Sequence, residues 1–559
     1  MAFLVPRLGH RWLRKIEAAV GHIAGRRGWA VLLIFIFSLA LRVVVMPVEP
    51  LPVPGIQDEF GYLLAADTFA HGRVTNPAHP LWKHFESMTI IQKPTYCSVF
   101  WPAQGAFLAI GQVLFNNPFW GVWLSCGLMC AAFCWALQGW MPPRWAFLGG
   151  VLAVARLGVF TYWANSYWGG AVAALGGAFV FGALPRLAKR STVQDALLMG
   201  LGLALLANSR PYEGLCYSLL FLVALLVFIY KRSRPLTESI RNIVLPLSVV
   251  MAITFALMAY YFWRTTGSPW RPPYVVDLAT YIQEPQFLFQ SLASPKQYNH
   301  AVLQHFYGDY HVQLFLRAKQ SPILSTIGKM AYLWMFFVGI AFTLPFCLLA
   351  GILPSGMSLR DLGCKTSFYW CVIAVSIASL LPLDYMNPHY AAPMACVIYA
   401  AVLQALRRIW IWDRCGRRRG AALVRATVGV CFLTFTASGV ALAHGVPHQR
   451  LFPYDPIGPN FERANLIGRL KAQGGSHLII VRYSPQHNGH EEWVYNDANI
   501  DRSTIVWARE MDATENQRLI AYFHDRQTWL LEADSRPPRL VKYPGPQAVQ
   551  VKVDDAALK

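Results

Sequence analysis

Asp58 and Glu59 stand side by side just after the first long apolar run, and they open a polar stretch over residues 55–102 that also carries His71, His79, Lys83, His84, Glu86 and Lys93. Carboxylates take a proton from an attacking hydroxyl, and cations offset the charge on a departing group. Held against a bilayer, this set fits a charged headgroup on a lipid. Moving a sugar from a lipid phosphate to a hydroxyl needs a carboxylate near the acceptor oxygen, cations or a metal at the phosphate, and a groove for the prenyl tail. Asp58 is the candidate base. Glu59 orients it, helps bind sugar, or caps a helix, since acids favour a first helical turn.

For the phosphate the candidates are Lys93, Arg210 and His389, all expected near the outer interface, where snorkelling alone also places cations. Pro211 restrains the chain beside Arg210, and Glu213 is placed to hold its guanidinium. A divalent metal ion is the one cofactor left open, through His84 and Glu86 with His71 or His79; a spacing of two on an irregular loop lacks the strength of HExxH. The HNGHEE segment, 487–492, reads as an exposed polar loop. Two arginines fall inside apolar runs: Arg42 close enough to an end to snorkel, and Arg156 deeper, with Asp384 as its candidate partner.

The elements that must carry these residues follow from composition. The 559 residues are 55% hydrophobic and 14% charged, and the apolar residues fall into runs of about 20, the length that crosses a bilayer as a helix. The reading is a polytopic α-helical membrane protein of about eleven spans. After the first, at 29–47, they are expected near 118–138, 145–163, 168–185, 193–207, 213–230, 243–263, 323–350, 368–383, 391–406 and 423–443. The net charge of +20 sits in short clusters between these runs, which is the positive-inside orientation signal and not a nucleic-acid surface. Arg144, Arg186 to Arg190, Lys231 to Arg241, Arg360 with Lys365, and Arg407 to Arg425 then all fall on one side. The 11 Cys show no CxxC spacing and read as small apolar fillers.

The expected organisation is a basic cytoplasmic amino terminus (1–28), a transmembrane domain (29–443) and a small α/β domain (444–559) on the periplasmic side. Two outer loops stand out, 49–117 with the site and 264–322. Within the first, a surface helix is expected over 59–70 and a juxtamembrane helix over 100–115. In the last domain the runs HLIIVRY, STIVWA, TWLLE and RLVKY read as strands and 514–523 as a helix.

Asp58-Glu59 after the first span, NSYWGG, NSRPYEG, and HYAAP before a late span together resemble the bacterial relatives of the protein O-mannosyltransferases, over roughly residues 29–410. That group includes the aminoarabinose transferase acting on lipid A and the rhizobial galacturonic acid transferases of lipopolysaccharide. The resemblance implies a GT-C fold in a bacterial inner membrane, with Asp58 as base or acceptor-side acid in the first outer loop. It also implies a polyprenyl phosphate-linked sugar as donor and an extracytoplasmic glycan or lipid as acceptor. The middle loop has no inserted carbohydrate-binding repeat, which sets the chain apart from the yeast-type enzymes. The competing readings are a transporter or flippase of lipid-linked glycans, and a non-catalytic envelope glycan assembly protein. The absence of repeated halves and the few charges at mid-membrane count against transport.

Overall fold

A computed structural model of the chain describes residues 10–231, 235–352, 363–411, 419–452 and 460–543. Arg7, Arg232, Arg234, Arg360 and the basic residues 414–418 lie outside the described residues. Among those described, seven helices are long and apolar enough to cross a membrane: Arg27–Val44, Phe119–Trp140, Ala171–Arg190, Pro211–Lys231, Leu236–Thr266, Pro388–Trp410 and Gly420–Ala443. Val193–Ala207 and Ser367–Leu380 are apolar but shorter.

Two expected spans are broken. The 145–163 run is helical only over Pro143–Arg156, and the chain then takes a separate turn at Tyr162–Asn165. The 323–350 run divides into Pro322–Phe337 and Gly339–Ile352, because Gly339 adopts φ +58°. That left-handed angle stops one helix and re-aims the next. Arg156 uses this break: Nε donates to the Phe336 carbonyl at 3.2 Å and Nη2 to that of Met335, both exposed by the end of the helix. Arg156 thereby satisfies carbonyls that the end of the helix leaves open. Arg42 likewise turns to backbone, donating to the carbonyls of Glu49 (2.9 Å) and Pro50 (3.1 Å) and fixing the chain's exit into the first loop.

Helices Ala171–Arg190 and Pro211–Lys231 carry the polar turns of interest at their amino ends, and Lys189, Arg190 and Lys231 at their carboxyl ends. The polar turns and the basic residues thus lie at opposite ends of the same elements, about 30 Å apart at 1.5 Å per residue. The Ala171–Arg190 helix meets the Pro388–Met394 turn without any intervening side chain. A Cβ on Gly177 would stand 2.0 Å from the Pro393 carbonyl oxygen, so only glycine permits the contact.

The first loop contains the helix Gln57–Ala70, then a small antiparallel sheet of Asn76–Pro77, Thr95–Ser98 and Ile90–Ile91, then the helix Pro102–Phe115. In the last part of the chain, strands His477–Arg482, Ile505–Arg509, Gln527–Glu532 and Arg539–Lys542 form one sheet. Its spatial order is 505–509, 477–482, 527–532, 539–542; the first three run parallel and the last is antiparallel. Strands that run parallel need a crossover, and Ala513–Tyr522 supplies the one from 505–509 past the central strand to 527–532. A second helix, Phe461–Gln473, packs Leu466 and Leu470 on one face of the sheet against Ile479, Val481 and Leu531.

The opposite face is covered by the first outer loop. Phe60, Leu64, Phe85, Ile90 and Tyr96 share one core with Leu478, Ile480, Tyr495 and Val506. Phe60 stacks on Tyr495 with ring centroids 4.0 Å apart. Each large side chain buried this way stabilises the pair by about 1.5–3 kcal/mol. The α/β unit and the loop that carries Asp58 are consequently one packed body.

Candidate active site

The Gln57–Ala70 helix begins with its orphan N–H groups satisfied by Glu59. Oε2 of Glu59 accepts from the backbone N–H of Gly55 (2.8 Å) and Ile56 (3.2 Å), in the manner of the reaching-back half of a capping box. Its Oε1 accepts from the N–H of Tyr167 at 3.0 Å. Of the roles open to Glu59, the geometry is that of the cap, extended into a staple that pins the NSYWGG turn to the helix start. Glu59→Gln replaces one acceptor oxygen with a donor facing an N–H. The expected result is a loss of about 1–3 kcal/mol, read as a lowered thermal midpoint in detergent.

The staple sets Trp168 beside Asp58. Asp58 is half-buried, and its carboxyl is raised to about 6 by burial, against the pull of Arg210, His311 and the Trp168 indole, with Glu59 adding to the rise. The Trp168 Nε1–H is close enough to steady the carboxylate, yet has no hydrogen-bond partner of normal geometry among the described residues. Trp168 is braced from behind by the His389 ring at 4.6 Å, and His389 Nδ1 lies 2.9 Å from the Tyr162 hydroxyl. His389 is thus buried behind the indole.

Arg210 closes the turn before the Pro211–Lys231 helix, its N–H donating to the Leu206 carbonyl at 2.8 Å and its carbonyl accepting from Gly214 at 2.7 Å. Its guanidinium lies over the Tyr390 ring, 4.4 Å from the centroid. Glu213 is buried nearby, but no Arg210–Glu213 ion pair within 4.0 Å occurs among the described residues; the carboxylate acts on Arg210 at longer range and the aromatic face holds it. Arg210, Ser209, Tyr62, Gln104 and Trp168 line a small cleft, whose other walls include Trp101, Val172 and Ala173.

The far side of the site comes from the 264–322 loop and the 381–387 turn. His311 Nδ1 sits 3.0 Å from Glu284 Oε1. Asp277, on the Pro273–Thr280 helix, is raised to about 7 by burial and by Glu284 and Asp58, and Asp384 to about 6 chiefly by burial. Asp277 Oδ1 and Glu284 Oε2 are buried with no hydrogen-bond partner among the described residues. None of these acids, nor His311 and Trp168, stands out by spacing. The available signal is their place in polar segments that the charge pattern puts at the same membrane face as Asp58.

Other candidates lie elsewhere. Lys93 is exposed, its ammonium 4.5 Å from the Trp82 ring centroid, and it is not among the charges acting on Asp58. His84 Nδ1 meets the Arg509 carbonyl at 3.0 Å, while Glu86 accepts from the Tyr281 hydroxyl (2.7 Å) and Asn299 Nδ2 (2.8 Å). His79 pairs with Asp501, and His71 Nδ1 lies 2.8 Å from the Asp67 carbonyl. The ligand set drawn from His84, Glu86 and His71 or His79 is not assembled: no group of three or more His, Cys, Asp or Glu that could hold a metal occurs among the described residues. Instead His84 and Glu86 bind the α/β unit and the 264–322 loop. The HNGHEE loop is also not a free surface: Glu492 is buried in an ion pair with Arg509.

No protein-family model matches the chain, and no curated protein matches it by sequence. Among solved structures it is similar to ArnT from Cupriavidus metallidurans bound to undecaprenyl phosphate, at 13% identity and TM-score 0.45, covering 89% of this chain and 88% of that one. It is similar also to the Archaeoglobus fulgidus oligosaccharyltransferase tethered with an acceptor peptide, at 11% identity and TM-score 0.45, covering 90% of this chain and 69% of that one.

Proposed function

We propose that the chain is an integral membrane glycosyltransferase that moves a sugar from a polyprenyl phosphate-linked donor to a hydroxyl of an extracytoplasmic cell-envelope glycan or lipid. The observation that carries this reading is Trp168, which stands beside the Asp58 carboxylate and, together with Arg210 at the amino end of the apolar Pro211–Lys231 helix, lines one cleft. In the reaction the acceptor hydroxyl gives its proton to Asp58 as its oxygen bonds to the anomeric carbon. The bond from that carbon to the phosphate oxygen breaks, and the electron pair leaves with the phosphate. Arg210 binds the departing phosphate, whose negative charge grows as the bond breaks; Trp168 and its His389 brace shape the site, and Glu59 holds the turn in place. The bacterial inner membrane follows from the family resemblance, and the charge pattern supports the sidedness: amino terminus in the cytoplasm, loops 49–117 and 264–322 and the 444–559 unit in the periplasm.

The test is transfer by purified protein in lipid from a panel of radiolabelled undecaprenyl phosphate sugars to an envelope extract of a strain lacking this chain. Transfer supports the reading; binding and translocation without transfer would mark a flippase, and no donor bound would mark an assembly protein. Arg210→Lys keeps the charge but loses the planar fork and its stacking. It is expected to lower transfer about ten- to hundredfold, on the order of 1.4–2.7 kcal/mol of barrier, and to weaken undecaprenyl phosphate binding.

A further inference from the structure

The 487–492 loop approaches the site because Gly489 has no side chain: a Cβ there would stand 2.9 Å from Phe306 Cδ2 and 3.2 Å from Met88 Cε. Glu492 then locks the loop, accepting from the backbone N–H of Trp493 (3.0 Å) and Val494 (2.9 Å) and from Tyr483 and Arg509. The residue so fixed is His490. Its ring stands edge-on to Phe306 (5.3 Å, 83°) and Tyr310 (5.2 Å, 88°), and its Nδ1 is 3.3 Å from Gln57 Oε1. Gln57 immediately precedes Asp58, and Tyr310 immediately precedes His311, which acts on the Asp58 charge.

With Nδ1–H directed at Gln57, Nε2 keeps its lone pair, and it has no hydrogen-bond partner among the described residues. Burial and the neighbouring His311 lower the imidazole from its ordinary value, so it is neutral at pH 7. A neutral acceptor atom framed by aromatic edges recognises a sugar hydroxyl and gives nothing to a phosphate or carboxylate. Packing alone does not require this: a phenylalanine would fill the same slot.

We propose that His490 is an acceptor-binding residue, through which the α/β unit offers Nε2 to a hydroxyl of a neutral sugar on the incoming acceptor, while Arg210 holds the donor phosphate. This rests on the glycosyl-transfer reading above. The experiment compares full-length wild type, His490→Phe and His490→Gln in proteoliposomes, using the same donors and envelope extract, with undecaprenyl phosphate binding measured separately. His490→Phe is expected to raise the half-saturating acceptor concentration tenfold or more, with undecaprenyl phosphate binding within twofold of wild type. His490→Gln, whose Oε1 accepts a hydrogen bond, stays within about threefold in acceptor saturation. Wild-type acceptor saturation in His490→Phe overturns the proposal, as does a parallel loss of donor binding and thermal midpoint. If wild type itself transfers no sugar, the glycosyl-transfer reading fails first and this one with it; a fully active wild type with an unaltered Phe variant sinks this inference alone.

Discussion

Asp58→Asn is expected to leave a folded protein that binds undecaprenyl phosphate and transfers sugar at least a hundredfold more slowly. The carboxylate closes no part of the core, since the cap and staple belong to Glu59. What is lost is proton removal from the acceptor hydroxyl, and a hundredfold corresponds to about 2.7 kcal/mol of barrier. The pH profile gives an independent reading. A base must be ionised, and burial raises the Asp58 carboxyl to about 6. In wild type, kcat/KM should therefore rise with pH and level off above about 6, falling tenfold per unit on the acid side; in the Asn variant this limb should vanish. Arg210 is the largest charge favouring the ionised form of Asp58, so Arg210→Gln is the control, expected to shift the limb upward in whatever transfer remains. Undiminished transfer in Asp58→Asn would move the base elsewhere, first to Asp277 or Asp384.

The second large effect is expected far from that carboxylate in sequence. Arg509→Met leaves Glu492 buried without its cation, with both side chains at most 2% exposed in the native protein. Breaking one half of such a pair costs about 3–5 kcal/mol. The variant also loses the bond from Arg509 Nε to the Glu86 carbonyl, 2.6 Å long, which ties the sheet to the first loop. The outcome should be a lowered thermal midpoint, protease cleavage within 444–559, and loss of transfer, because His490 and the support of Phe60 go together. Glu492→Gln with Arg509→Met removes the uncompensated charge and should recover part of the midpoint. Equal stability of the single and double variants would show that the charge pair is not what holds the loop.

The apolar runs and basic clusters made most of the membrane helices legible, because a bilayer demands length and sidedness that a single sequence displays openly. The two broken spans escaped because one residue decides each: Gly339 in a left-handed angle, and a turn after Arg156 with no proline to mark it. In the site, Asp58 and Arg210 could be named because each adjoins a span end. Trp168 comes from the NSYWGG turn and Asp277, Glu284 and His311 from the 264–322 loop, and only folding reveals that Trp168, His311 and Asp277 all lie within electrostatic or hydrogen-bonding reach of Asp58. Lys93 looked equivalent to Arg210 by charge and position, yet it stacks on Trp82 at the surface. The strands of the last unit were readable from their alternation and apolar runs. That they would close over Phe60 and Phe85 was not, since either surface reads as an ordinary half-buried face.

The shared core also sets an order of events during synthesis. Tyr96 donates to the carbonyl of Asn496, a partner made 400 residues later. At about 5–20 residues per second, the loop that carries Asp58 waits on the order of 20–80 s before its cover exists. Until then Phe60, Leu64 and Phe85 have no partner sheet. The loop and its cover can therefore pack together only after the strands at 477–482 and 505–509 have been made.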